Sequence, residues 1–198
     1  MGDKKSVKSK LSLDFYLRDN VVQIAKELLG KYLCTQFNGI LTSGMITETE
    51  AYKGIVDKAS HSYNHRFTPR TQVMYLEGGI AYVYLCYGIH SLFNVVTNVA
   101  GIPDAVLIRA IKPEDGMPEM LKRISLTKPL ALLGKGPGKV TKLLGIHYSH
   151  TGYNLSGNQI WVEDREVKIQ TSKINISSRI GVSYAGEDAQ LPYRFTII

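Results

Sequence analysis

Apolar positions recur at helical spacing in Val21, Val22, Ile24, Ala25, Leu28 and Leu29, so a helix is expected there. Asp19-Asn20 offers its N-cap and Gly30 its stop. Lys31 to Phe37 reads as a strand, Asn38-Gly39 is a two-residue hairpin signal, and the return strand is expected from about Gly44 to Tyr52. Residues 53–72 are polar and read as a long loop, which in a compact domain is functional or disordered. Ala81 to Tyr87 is β-rich, turns at about Gly88 and returns through Leu92 to Thr97. Ala105 to Ile111 is a further apolar strand, interrupted by Arg109.

The segment 113–133 is expected to be mostly helical, with Pro113 and Pro118 at starts. Gly134 to Lys139 forms a glycine-rich loop opening a short helix, Val140 to Leu144, and Gln159 to Ile169 and Tyr193 to Ile198 read as strands. Hairpins outnumber strand–helix–strand crossovers. The expected fold is therefore α+β, one compact domain with a curved, mainly antiparallel sheet flanked by helices. A basic tail over residues 1–12 is expected to be disordered, and 13–198 to form the domain.

A chain of 198 residues with 44% hydrophobic and 21% charged content suits one soluble domain. The net charge of +7 changes the picture, because it suits a polyanionic partner: nucleic acid, an anionic membrane or an acidic protein. No apolar run is long enough to span a membrane. Cys34 and Cys86 both sit in apolar runs and read as buried, reduced thiols, with no zinc-ligand spacing, so no metal is expected. Asn154 and Asn175 begin sequons that, without a secretory segment, read as chance matches. Met1-Gly2 with Ser6 fits a myristoylation pattern, but a basic tail tracking phosphates fits Lys4, Lys5, Lys8 and Lys10 better.

Period-2 alternation in residues 46–52 puts Ile46, Glu48, Glu50 and Tyr52 on one face. Such a face is either a solvated edge bearing two acids or a pocket wall carrying a carboxylate and a stacking ring. Arg109, inside Val106-Leu107-Ile108-Arg109-Ala110-Ile111, needs an anionic partner if it is buried, and otherwise snorkels to an edge.

Several motifs in order resemble the alkyladenine (3-methyladenine) DNA glycosylase family. They are Thr47-Glu48-Thr49-Glu50-Ala51-Tyr52, Ala59-Ser60-His61-Ser62, Thr68-Pro69-Arg70 and Tyr82-Val83-Tyr84-Leu85-Cys86-Tyr87-Gly88. Asn94, Leu107-Ile108-Arg109-Ala110 with Pro113, Gly136-Pro137-Gly138-Lys139, Arg179-Ile180-Gly181-Val182 and Ala185-Gly186-Glu187 continue the series. The resemblance spans roughly residues 15–196.

It implies a monofunctional enzyme of base excision repair that flips an alkylated purine out of duplex DNA and hydrolyses its N-glycosidic bond without lyase chemistry. Glu50 resembles the general base and Arg109 its companion, with a main-chain carbonyl at about Ile180 as a further ligand of the attacking water. Tyr52, His61 and Tyr84 resemble the walls around the flipped base, and Asn94 the side chain that blocks the 2-amino group of guanine. Tyr87 resembles the wedge that fills the vacated stack, with Ile89 and His90 along the minor groove. Arg66, Arg70 and Lys139 resemble phosphate contacts. No cofactor is implied, the expected partner is double-stranded DNA with damaged purines, and the chain is expected to be an intracellular monomer: cytoplasmic if bacterial, nuclear if eukaryotic. Asn64-His65, Phe67 and Thr71 depart from the family's loop pattern and bear on the lesions accepted rather than on the reaction.

A non-catalytic nucleic-acid-binding protein would need the basic loops and wedge but not Glu50 beside Arg109. A hydrolase of free purine nucleosides would leave Tyr87 and the Lys139 loop without a task. A membrane-tethered module would use only the basic tail.

Overall fold

The computed structural model describes residues 9–129 and 131–198. Most of the expected tail, including Gly2, Ser6 and Lys4, Lys5 and Lys8, lies outside them. Its last residues are ordered: β1 (Ser9–Lys10) pairs with β7 (Ile160–Asp164), and the Leu11 amide donates to the Val162 carbonyl at 2.9 Å.

After α1 (Leu13–Tyr16), α2 (Val21–Glu27) runs where the apolar period places it. The Asn20 side chain accepts from the Gln23 amide at 3.0 Å, satisfying one of the first-turn donors. Then β2 (Tyr32–Phe37) turns at Asn38 and Gly39, both at positive φ, into β3 (Ile40–Tyr52). This return strand starts four residues earlier than expected, because the tight turn lets pairing begin at Phe37 opposite Ile40. β4 (Ala81–Cys86), β5 (His90–Thr97) and β6 (Asp104–Pro113) follow as expected.

Among the described residues of 113–133, α-helix is confined to α3 (Met117–Arg123). Pro113 ends β6 instead of starting a helix, since its carbonyl side can still close a ladder. Ser125, at positive φ just past the helix, marks where α3 stops. Gly134 leaves no room for a Cβ, which would lie 2.0 Å from the Ile111 carbonyl oxygen. α4 (Pro137–Leu144) follows, and β7 ends at Asp164, short of the expected Ile169. β8 (Ile174–Ser177) is a strand the alternation did not reveal, and it pairs with β9 (Arg194–Ile197).

All strand pairings are antiparallel, in the order β1-β7-β2-β3-β6-β5-β4, with β9 pairing β3 and β8. Alternation in the β3-β6-β5-β4 half separates two populations. Ala51, Val106, Ile108, Val95, Phe93, Ala81 and Val83 join α2 and α4 in one core cluster, each such side chain contributing about 1.5–3 kcal/mol by burial when it is of Val to Phe size. The opposite face carries Glu50, Tyr52, Leu107, Arg109, Asn94, Tyr82 and Tyr84. Ile46, expected beside Glu48 and Glu50, instead belongs to the core cluster, past an irregularity in the β3–β6 ladder between Ile46 and Thr49.

Candidate active site

The open face of this half-sheet forms the floor of a cavity of about 200 Å³, roofed by the 59–61 and 180–184 segments. Both segments are held by one buried ion pair. Asp57 accepts from the Ala59 amide at 2.9 Å and the Lys53 amide at 3.2 Å, which shapes the loop after β3. Arg179 donates from Nη2 to Asp57 Oδ1 at 2.9 Å and from Nη1 to Asp57 Oδ2, and it also reaches the Ala51 and Asp188 carbonyls. Neither Asp57 nor Arg179 was singled out as a pair, because they stand 122 positions apart.

Glu50 is fully buried. Its Oε2 accepts from the Tyr52 hydroxyl at 2.8 Å, its Oε1 from the Ile180 amide at 2.8 Å, and Arg109 Nη1 lies 3.4 Å from Oε1. Burial pushes its carboxyl above the usual carboxylate range, while Arg109, the Ile180 amide and the Tyr52 hydroxyl pull in the other direction. Ile180, expected to contribute its carbonyl, contacts Glu50 through its amide. Glu48 is bound by Arg109 Nε at 3.2 Å and by Arg194 Nη1 at 3.1 Å.

Six aromatic rings line the cavity: Tyr52, His61, Tyr82, Tyr84, Tyr87 and Tyr184. His61 Nδ1 lies 2.7 Å from the Tyr82 hydroxyl, and its ring meets Tyr84 edge-on at 4.6 Å. Burial, with the charges of Arg70 and Arg66, lowers the His61 pKa to about 4, so the imidazole is neutral at physiological pH. Arg70, exposed at the rim, lies 4.8 Å over the Tyr84 ring with Nη2 3.4 Å from His61 Nε2. That contact makes Nε2 the acceptor and Nδ1 the protonated nitrogen. Arg179 covers Tyr52 in the same manner at 4.8 Å. Asn94 on the floor donates to the Tyr82 carbonyl at 3.1 Å, which stiffens the β4–β5 pair beneath the rings. Tyr82 was missed as a site residue, although its alternation with Tyr84 on β4 is visible in the sequence. Cys86, expected to be buried, is only partly so and lines the cavity, whereas Cys34 is fully buried and its thiol is pushed up to about 12.

Of the remaining expected residues, Tyr87 lines the cavity, whereas Ile89, His90, Lys139 and Arg66 do not. Tyr87 sits at the β4–β5 tip with φ 51° and 91% exposure, followed by Gly88 at φ 72° and by Ile89, which is 72% exposed. A tyrosine in left-handed backbone with almost no contacts is a costly arrangement for the fold alone. His90 packs against Gly138 at the start of α4, where a Cβ would meet its ring at 3.2 Å. Thr141 Oγ1 donates to the Ser91 carbonyl at 2.7 Å, so α4 braces the tip. Lys139 and Arg66 are exposed. Among the described residues no cluster of His, Cys, Asp or Glu could hold a metal ion, and no helix is long and apolar enough to cross a membrane.

Residues 14–198 match the model of a family described as methylpurine-DNA glycosylase. A Chlamydia felis protein named as a 3-methyladenine DNA glycosylase is 48% identical over 184 residues, covering 92% of this chain and 93% of that protein. Similarly named proteins of Clostridium acetobutylicum and Bacillus cereus are 43% and 42% identical, covering 95% and 91% of this chain and 94% and 92% of their own.

Proposed function

The chain belongs to the methylpurine-DNA glycosylase family, and from that premise we propose that it excises alkylated purines of the 3-methyladenine type from duplex DNA, with Glu50 as the general base. The observation that carries the reading is the buried Glu50 carboxylate, held directly behind Tyr52, Ile180 and Arg109, which line an aromatic cavity. A protein that only binds DNA gains nothing from a buried ionisable acid, which costs several kcal/mol to desolvate.

In this reading the damaged purine rotates out of the stack into the cavity between Tyr52, His61 and Tyr84. Alkylation at N3 or N7 makes the base cationic, so it stacks favourably on aromatic faces and leaves as a neutral molecule. Glu50 takes a proton from a water whose oxygen bonds to C1′, while the C1′–N9 electron pair departs with the purine. Arg109 and the Ile180 main chain keep that water in line, and Glu50 stabilises the oxocarbenium-like sugar. The reaction leaves an abasic site, and no lysine in the cavity supplies an amine for strand cleavage.

Asn94 narrows the floor where the 2-amino group of guanine would project. Tyr87 enters the stack in place of the flipped nucleotide, with Ile89 and His90 along the minor groove, which offsets the unstacking cost of a few kcal/mol. Lys139 and Arg66 hold backbone phosphates, and Arg70 joins them at the rim. A hydrolase of free nucleosides would have no use for the exposed Tyr87.

The test is base release from a panel of duplexes, each carrying one defined lesion, by wild type and Glu50→Gln. Wild type is expected to release 3-methyladenine or 7-methylguanine without nicking, and the variant to bind the same duplexes while losing release by at least about a hundredfold. Full activity of Glu50→Gln would remove Glu50 from the base's role.

A further inference from the structure

Glu48 stands two residues before Glu50, and the chemistry above gives it no part. Its side chain is 12% exposed, and one oxygen, Oε1, accepts from both Arg109 Nε and Arg194 Nη1. Arg109 presents its other edge, Nη1, to Glu50. Arg194 comes from β9, whose pairing with β3 sets it opposite Glu50, and its Nε donates to the Ser178 carbonyl at 2.9 Å. Two carboxylates and two guanidiniums thus form a chain, Glu50–Arg109–Glu48–Arg194, anchored at its far end to main chain.

We propose that Glu48 is a positioning residue for base release: it holds Arg109 by Nε so that one nitrogen reaches Glu50 while the guanidinium stays directed at the cavity. This rests on Glu50 being the base. A free guanidinium beside a carboxylate closes into a two-pronged pair, because that geometry forms two parallel charge-assisted bonds. Such a pair would occupy the oxygens Glu50 needs for water and would weaken it as a base. Glu48 competes for the same fork. The charge of Arg194 in turn keeps Glu48 from being an unbalanced buried anion.

The charged and titratable groups facing Glu50 are Arg109 from β6, Arg194 from β9, Glu48 and Tyr52 from β3, and Arg179 and Tyr184 from the segment after β8, with Asp57 paired to Arg179. Glu48 opposes ionisation of Glu50, so neutralising it makes Glu50 ionise at lower pH. Neutralising Arg194 leaves the negative charge of Glu48 less compensated and acts in the opposite direction.

The experiment measures single-turnover release of 7-methylguanine from a duplex over the acidic range, together with duplex affinity, for wild type, Glu48→Gln, Arg194→Gln and Glu50→Gln. Glu48→Gln is expected to keep its affinity, to slow release about tenfold, and to move the acid limb of the rate profile to lower pH. Arg194→Gln is expected to move that limb to higher pH. If Glu48→Gln does not fold, the limb of Arg194→Gln decides alone. A wild-type rate and unmoved limb in Glu48→Gln, or an unmoved limb in Arg194→Gln, overturns the proposal. Activity retained in Glu50→Gln would instead overturn the assignment of the base.

Discussion

The Tyr52 hydroxyl donates to Glu50 Oε2 at 2.8 Å, joining two side chains that stand on one face of β3 two residues apart. With Oε1 taken by the Ile180 amide and faced by Arg109, the carboxylate is oriented before any substrate arrives. One acceptor site, on Oε2, is left for a water.

That arrangement fixes the sign of the pH dependence. Glu50 accepts a proton only when ionised, and its pKa is raised by burial. Release from alkylated duplex should fall as pH drops through that raised value and level off above it. His61, neutral above about 4, adds no limb near neutrality. Single-turnover rates against pH check this, and an acid limb that survives in residual Glu50→Gln activity would contradict it.

Asp57→Ala should destabilise the fold by about 3–5 kcal/mol, because it leaves Arg179 charged and buried without its partner. Replacing both, as Asp57→Ala with Arg179→Met, should recover much of the loss. Denaturant midpoints of the two proteins decide the matter: a double variant no more stable than Asp57→Ala would show that the pair's charge is not the cause.

Tyr87→Ala should leave stability within about 0.5 kcal/mol, since the side chain is 91% exposed. Base release from duplex should fall sharply while release from single-stranded substrate changes little. Equal activity of variant and wild type on duplex would rule out a wedge.

Lys139→Ala and Arg66→Ala should each weaken DNA binding regardless of sequence and reduce the salt slope by about 1. Affinities measured across a salt series give that slope directly, and an unchanged slope would place these side chains away from phosphate.

Asp104 is buried, and its pKa is raised from 3.8 to about 6, chiefly by desolvation. The folded state therefore binds this proton more tightly than the unfolded state. Stability falls as pH rises between the two values, and at neutral pH the fold carries a penalty of about 3 kcal/mol. Asp104→Asn should raise Tm at neutral pH, with the gain closing in acid. A gain independent of pH would show that another cause operates.

The elements that were legible along the chain are those whose signal is local. The period of α2, the Asn38-Gly39 turn and the alternation of β4 and β5 each depend on neighbours within a few residues. The excess of helix expected after Pro113 came from the same kind of reading: the segment has helical composition, but β6 extends through Pro113 and α3 stops near Ser125. β8 was invisible because none of its residues is buried and its partner, β9, lies about twenty residues away.

The sequence by itself determined the family, through motifs spread over almost its whole length, and with it many of the residues around the cavity, though not Tyr82 or Tyr184. It also determined that Glu50 and Tyr52 share a face, since a strand's alternation is a property of its own backbone. Whether that face met solvent or was buried against a pocket was decided only by tertiary structure. Arg109, Arg194 and Ile180 reach Glu48 and Glu50 across separations of 59 to 146 positions. Such contacts depend on sheet register and loop paths, which no local pattern encodes. The same holds for Glu48: as one acid in a strand it was indistinguishable from a solvated charge, and two arginines from β6 and β9 are what make it part of the site.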